Sequence, residues 1–432
     1  MLFYENPKFE TYLKVDDFNV LQFRKKDWEQ FIPNIEEFFR VLAKNTKNIE
    51  FKNIEIEDVL HTSRAIVEDT LLDKKVTITL VNTKKNLEHK FIFILPLVDK
   101  HHKLLINGNK RFLIFQLTDL SVTRRKYLIR INSNIRSVII NVNHLDGNIL
   151  NEKKPNYYVE LGGLQIPLIC ILLARLSLKE LEKLTGVKLE FNSVTQENKF
   201  LSDAIKYTFK EDTPIEYRAL FNDLQKEHIA HDYFPKTEKG LKEYFRKHCS
   251  KGLKINIVDI LENIENLDIY LKRFLITGSL DQDILLMMRL PHNRIHINDL
   301  MFKRVRIHEY ILGYIMNQIF NQLFKFLSTM KSASRNYNIA SLLTSKFQQM
   351  VQLSKTEDNS VAEIAELLKV TSVGPGGIPL ESITPNDRNI HDSYFGIIDP
   401  IVTPDGEKCG IVNYLTLTCP INEDGTFNFS QI

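Results

Sequence analysis

Between Lys26 and Ala43 the apolar positions Phe31, Ile35, Phe38, Phe39 and Leu42 recur at helical spacing and predict a helix, with Pro33 early enough to be tolerated. The β-branched and aromatic runs Val76–Val81, Phe91–Ile94, Leu104–Ile106, Arg111–Leu117, Tyr127–Ile131 and Arg136–Val142, separated by Asn, Asp and Gly, predict antiparallel strands. A further strand over Tyr157–Leu161 and a Gly162-Gly163 turn lead to Ile166-Pro167 and a helical stretch running through Glu180 and Lys183. Helix dominates from there to about residue 290. From Asp299 to Met330, Ile307, Ile311, Ile315, Ile319 and Leu323 recur every four residues, flanked by Leu312, Met316, Phe320 and Phe324. So wide a stripe predicts a long helix packed on two sides. Lys355–Ser360 reads as a polar linker, and the class expected is α+β.

Composition narrows the picture little. The chain has 432 residues, 43% apolar and 26% charged, enough for roughly two to four domains. Its longest apolar stretch, Ile166–Ala174, falls well short of the ~20 residues of a membrane span, so no membrane partner and an intracellular, soluble protein are expected. Cys170, Cys249, Cys409 and Cys419 lie singly, which predicts free thiols and not a zinc ribbon or disulfide framework. The net charge of +3 is too balanced for a nucleic-acid wrapper, so any contact with DNA or RNA must come from local patches.

Two tight turns stand out. Gly374-Pro375-Gly376-Gly377 has the Pro and Gly placement of a type II turn, and Thr403-Pro404-Asp405-Gly406 fits a type I turn closed by Gly. Lys303, Arg304 and Arg306 put three cations in four positions of the expected helix, where they either neutralise phosphates or form a solvated face. Arg124-Arg125-Lys126, Arg130 and Arg136 make a second basic stretch. His292 with His296, and His228 with His231 and Asp232, have helical metal-ligand spacing but no third ligand or His-Glu-x-x-His pattern. Asp281 and Asp283 after Ser279 read as the start of a helix. There is no P-loop and no Gly-x-Ser-x-Gly elbow, so nothing here activates a nucleotide or a serine.

The run from Glu363 to Leu417 joins Gly374-Pro-Gly-Gly377, Arg388-Asn-Ile-His391, Tyr394-Phe-Gly396, Asp399-Pro-Ile-Val-Thr-Pro-Asp-Gly406 and Gly410-Ile-Val-Asn413. It resembles, without a gap, the fork region of the β subunit of multisubunit DNA-dependent RNA polymerases. Leu105-Ile-Asn-Gly-Asn-Lys-Arg111 with Gln116-Leu117, Ile166-Pro-Leu168, and Asn298–Arg306 are similar to further motifs of that family in the same order. The resemblance implies a multi-domain N-terminal β-subunit architecture: protrusion over 1–124, lobe over 125–292, the long protrusion helix over 293–345, and fork over 346–432.

It also implies a nucleotidyltransferase subunit that is inactive alone. Arg388, His391, Pro404, Asp405, Gly406 and Asn413, with Lys303, Arg304 and Arg306, would line the DNA/RNA cleft, and the chain itself would carry no catalytic residue, metal or cofactor. The implied partners are the C-terminal half of a split β subunit, a β′ subunit or its fragments holding Mg2+, DNA template, RNA transcript and a specificity factor. Split subunits of this kind occur in some archaea and in jumbo bacteriophages; drift and a small lobe favour the phage, hence the cytoplasm of an infected bacterium, or a virion. The family's rifamycin-pocket Asp, His, Arg and Ser fall at Thr356, Glu366, Leu368 and Thr371, which predicts rifampicin resistance. The alternatives are a β-like nucleic-acid-binding or regulatory protein outside transcription, or an independent nuclease or other enzyme.

Overall fold

The computed structural model describes residues 18–60, 72–95, 104–106, 109–125, 127–144, 155–161, 163–192, 205–226, 237–250, 256–290, 296–330, 334–338, 351–353, 360–374, 377–378 and 380–431. They form an α+β protein of two units, Met1–Asp119 with Ile297–Ile432, and Leu120–His296. The second is a continuous insertion in the first. These boundaries fall a few residues outside 125–292 because the strand at Val122–Arg125 pairs within the insertion.

In the first unit the stretch expected to be one helix is two, α1 (Asn19–Glu29) and α2 (Phe31–Asn45). Pro33 has no N–H to give the Glu29 carbonyl, four residues back, and its ring crowds that carbonyl, so the chain restarts at Gln30. Phe31, Ile35, Phe38, Phe39 and Leu42 of α2 are buried. Phe39 meets Phe91 and Phe93 with ring centroids 5.0 and 5.9 Å apart. Those rings lie on a sheet of β1 (Ile49–Leu60), β2 (Leu72–Asn82) and β3 (Leu87–Leu95), ordered β1-β2-β3 and antiparallel.

Next come β4 (Leu104–Ile106), β5 (Asn109–Leu113) and β6 (Phe115–Asp119). The expected single strand over Arg111–Leu117 breaks at Ile114, because β5 pairs with β4 while β6 joins a different sheet. Arg24, 4% exposed, fills this break. Its guanidinium donates to the Leu113 carbonyl and, at 3.3 Å, to Leu367, and lies over the Phe112 and Phe115 rings. Burial pushes its pKa down to about 10.

The insertion begins with β7 (Val122–Arg125), β8 (Leu128–Ile131), β9 (Val138–His144), β10 (Pro155–Leu161) and β11 (Leu164–Pro167), an antiparallel sheet in the order β11-β10-β9-β8-β7. Two helices, α3 (Leu168–Arg175) and α4 (Leu178–Thr185), replace the single stretch expected after Ile166. Ser177 restarts the second, its side chain and that of Glu180 capping each other's backbone N–H. All residues of α3 from Leu168 to Ala174 are buried, and this helix is the centre of the insertion's core. Around it come β12 (Lys188–Phe191) paired with β13 (Ile205–Thr208), α5 (Ile215–Lys226), α6 (Glu238–His248), α7 (Ile257–Leu267), α8 (Ile269–Arg273) and α9 (Leu280–Arg289). Asp281 and Asp283 do stand in the first turn of α9. Asp281 takes Arg175 at 2.8 Å, and Asp283 accepts from the Ile276 and Thr277 N–H groups at 2.7 and 2.8 Å. Arg124 of the second basic stretch is buried beside the Tyr157 ring.

The chain then completes the first unit with β14 (Lys303–Arg306), α10 (Glu309–Met330), β15 (Arg335–Asn338), β16 (Val351–Leu353), α11 (Ser360–Leu367), β17 (Lys369–Thr371) and β18 (Val412–Tyr414). The helix expected from Asp299 begins only at Glu309, since Lys303–Arg306 is drawn into pairing with β6. A central sheet ordered β14-β6-β17-β18 thereby joins segments spread over most of the chain. The runs expected to be antiparallel pair so with one another, β2 with β3, β4 with β5 and β8 with β9, whereas β15 on β3 and β17 on β6, which that expectation did not cover, pair in parallel. No helix among the described residues is long and apolar enough to cross a membrane.

Arg24→Ala should destabilise the first unit by about 2–5 kcal/mol, since it leaves two buried carbonyls without a donor and a cavity between two rings. Urea unfolding followed through Trp28 measures it.

Candidate nucleic-acid interface

The central sheet positions a crevice lined by Leu117, Asn298, Lys303, Thr371, Ser372, Asp387, Tyr394, Gly410 and Asn413, among others. Its walls are held by side chains bonded to backbone. Asn298 donates to the Asn386 and Asn389 carbonyls at 2.9 and 2.7 Å, and the Leu300 N–H reaches the Ser393 hydroxyl at 3.0 Å. Asp387 bonds the Thr384 N–H and hydroxyl at 2.8 and 2.7 Å. Tyr394 is buried, which pushes its phenol up to about 12 and keeps it neutral.

Arg388 is half-buried and points at main chain: its Nη1 donates to the Glu407 and Cys409 carbonyls, both at 2.7 Å. The loop it holds, 403–412, is closed from inside by Thr403, whose hydroxyl donates to the Val412 carbonyl at 3.0 Å and accepts from the Gly410 N–H at 2.9 Å. Asn413 donates to the Gly410 carbonyl at 3.3 Å. Pro404 is half-buried at the loop's outer end, while Asp405 and Gly406 are exposed, the latter with φ +76°. His391 caps the short 3-10 turn Asp392–Tyr394, its ring nitrogen accepting from the Ser393 N–H at 3.2 Å. The fold therefore gathers Arg388, Pro404–Gly406 and Asn413 around one loop, with His391 on the adjoining turn.

The three cations behave otherwise. Lys303, Arg304 and Arg306 lie on a strand and all are buried, so they form neither a helical face nor a solvated one. Lys303 pairs with Asp119 at 2.7 Å. Arg304 grips Glu309 with two bonds of 2.5 Å, and Arg306 approaches the same carboxylate at 3.3 Å. Their charge is matched internally by acids that lie outside the motif, and only the spacing from Arg304 and Arg306 to Glu309 hinted at this.

The Gly374–Gly377 turn is closed by a bond of 2.9 Å from the Gly377 N–H to the Gly374 carbonyl. Its inner residues Pro375 and Gly376 lie outside the described residues, as do Asn107-Gly108, Lys126, Thr356, His228, His231, Asp232 and His292. Among the described residues no group of three or more His, Cys, Asp or Glu side chains could hold a metal ion.

Gly410 has φ +70°, and a Cβ there would stand 2.6 Å from the Arg388 carbonyl oxygen. Gly410→Ala should therefore push Arg388 off the loop and cost about 1–3 kcal/mol in thermal unfolding. Of the cysteines described, Cys409 is exposed, whereas Cys170, Cys249 and Cys419 are buried, the last with its thiol pushed up to about 12. Brief iodoacetamide treatment of native protein should label Cys409 and leave the other three for the unfolded chain, as read by peptide mass spectrometry.

Residues 355–421 match the family model described as RNA polymerase Rpb2, domain 3. A DNA-directed RNA polymerase subunit beta of Chara vulgaris is 25% identical over 362 residues, 77% of this chain and 32% of that protein. The N-terminal section of that subunit from Chlamydomonas reinhardtii is 40% identical over 67 residues, covering 16% of this chain and 8% of the relative. The Thermotoga maritima subunit beta is 37% identical over 92 residues, 20% of this chain and 7% of that one. The chain thus spans about a third of the length of the Chara vulgaris protein. Together these matches, to whole subunits and to a protein named as an N-terminal section, support an N-terminal fragment of an RNA polymerase β subunit.

Proposed function

We propose that this chain is the N-terminal section of a split β subunit in a multisubunit DNA-directed RNA polymerase, and that it contributes shape and contacts to the DNA/RNA cleft. The observation that carries the reading is the loop 403–412: the segment matching Rpb2 domain 3 folds around it, with Arg388, Thr403 and Asn413 all spent on its backbone. A loop fixed in this way presents Pro404, Asp405 and Gly406 at a set position, which is the service a template or transcript needs from a surface that does no proton transfer. Nucleotidyl transfer uses Mg2+, and that ion is assigned to the aspartates of the β′ partner. The remaining partners are the C-terminal β section, DNA, RNA and a specificity factor, in the cytoplasm of a bacterium infected by a jumbo phage.

Rifampicin resistance belongs to the same reading. Glu366 is engaged by Lys369 at 2.7 Å, Leu368 is buried and has no donor, and the Thr371 hydroxyl accepts from the Val373 N–H at 3.2 Å. A drug that needs a cation at the position of Leu368 meets an apolar side chain, and the neighbouring cation Lys369 is already paired with Glu366.

Affinity purification of the tagged chain from cells that make it naturally, followed by mass spectrometry, should recover the rest of β and a β′ chain. The purified assembly should incorporate nucleotides and the isolated chain should not, with synthesis persisting at low micromolar rifampicin. A chain recovered without sister subunits would overturn the assignment, and synthesis abolished by the drug would overturn the resistance.

A further inference from the structure

Gln116 of β6 is 2% exposed and lies between the central ion network and the Gly374–Gly377 turn. Its Oε1 accepts from Arg306 Nε at 2.9 Å. A guanidinium has only donors, so the atom facing Arg306 must be the oxygen, and the amide nitrogen must face the other way. On that side it meets the turn, with Nε2 at 3.4 Å from the Val373 carbonyl. A Cβ built on Gly377 would stand 2.7 Å from Nε2, and one on Gly374 would stand 3.2 Å away. The Ser372 carbonyl oxygen, closer still to the same Gly377 Cβ, and the φ of +124° at Gly374 already call for glycine at both positions, and the Gln116 amide packs into the space that the missing side chains leave. Arg306 in turn is held by Glu309, the first residue of α10.

We infer that Gln116 is a positioning residue: oriented by Arg306 and Glu309, its amide sets the place of the Gly374–Gly377 turn relative to the central sheet. That the turn is held for transcription rests on the function proposed above; that it is held by Gln116 does not. The turn's own bonds, Gly377 N–H to Gly374 at 2.9 Å and Ile378 N–H to Ser372 at 3.0 Å, report on its order.

Amide hydrogen exchange on the full chain, with Gln116→Met and Gln116→Glu, tests this. The first removes both amide bonds at similar volume. The second keeps an acceptor for Arg306 but turns an oxygen towards the Val373 carbonyl. Both should speed exchange at Gly377 and Ile378 by tenfold or more while the β2 and β3 amides keep their protection. Should Gln116→Met lose protection throughout, Gln116→Glu decides. Unchanged exchange at the turn in a folded variant overturns the inference. In the assembly recovered through the tagged chain, the same variants should lower the elongation rate at saturating nucleotide severalfold with template binding retained, and unchanged elongation overturns the link to transcription. A chain that purifies with no sister subunits would instead discredit the functional reading alone, because the exchange result stands without it.

Discussion

One buried carboxylate organises the first unit. Glu309, 3% exposed, neutralises two guanidinium groups that would otherwise sit unmatched inside the protein, and it does so from the first turn of a helix whose dipole favours an acid. Burying Arg304 and Arg306 without it would cost several kcal/mol each. The arrangement gains geometry in return. Guanidinium forks accept few alternatives, so strand β14, helix α10 and strand β6 are locked in one register, and the sheet continues through β17 and β18.

From that frame the loop 403–412 inherits its rigidity. The polar side chains around the crevice mostly bind carbonyls and N–H groups: Asn298 on 386 and 389, Arg388 on 407 and 409, Thr403 on 410 and 412. Such bonds fix main chain with little dependence on neighbouring side chains. A surface built this way can keep its contour while much of the sequence drifts, which fits a relative that is 25% identical over most of the chain alongside 37–40% identity in shorter stretches.

The parts legible in the sequence were those governed by local rules. The runs at Val76 and Phe91 became β2 and β3, and α2 buries the residues its spacing marked. Strand β1 shows no clear alternation in the sequence, because a bulge between Phe51 and Asn53 shifts its register near the start and Glu50, Glu55, Glu57 and Asp58 break up its apolar residues. Lys303–Arg306 misled for another reason. Three cations in four positions suggest a phosphate-binding or solvated face, and it takes the nearby Glu309 together with Asp119 and Gln116, both far away in sequence, to make them a buried strand. In the candidate site, Arg388, Asn413 and the Pro404 loop are marked by the fork motif, whereas Gln116 stands in a motif that gives it no role and Glu309 stands in none.

The central sheet also dictates an order of events during synthesis. Strand β6 leaves the ribosome at residue 119, but its parallel neighbour β17 follows some 250 residues later and β18 later still. At about 5–20 residues per second that is a wait of roughly 10–50 s, during which the insertion, continuous from Leu120 to His296, can close its own core. The nascent chain therefore passes through a stage with one finished body and an unpaired strand edge, a state that holding chaperones are suited to shield.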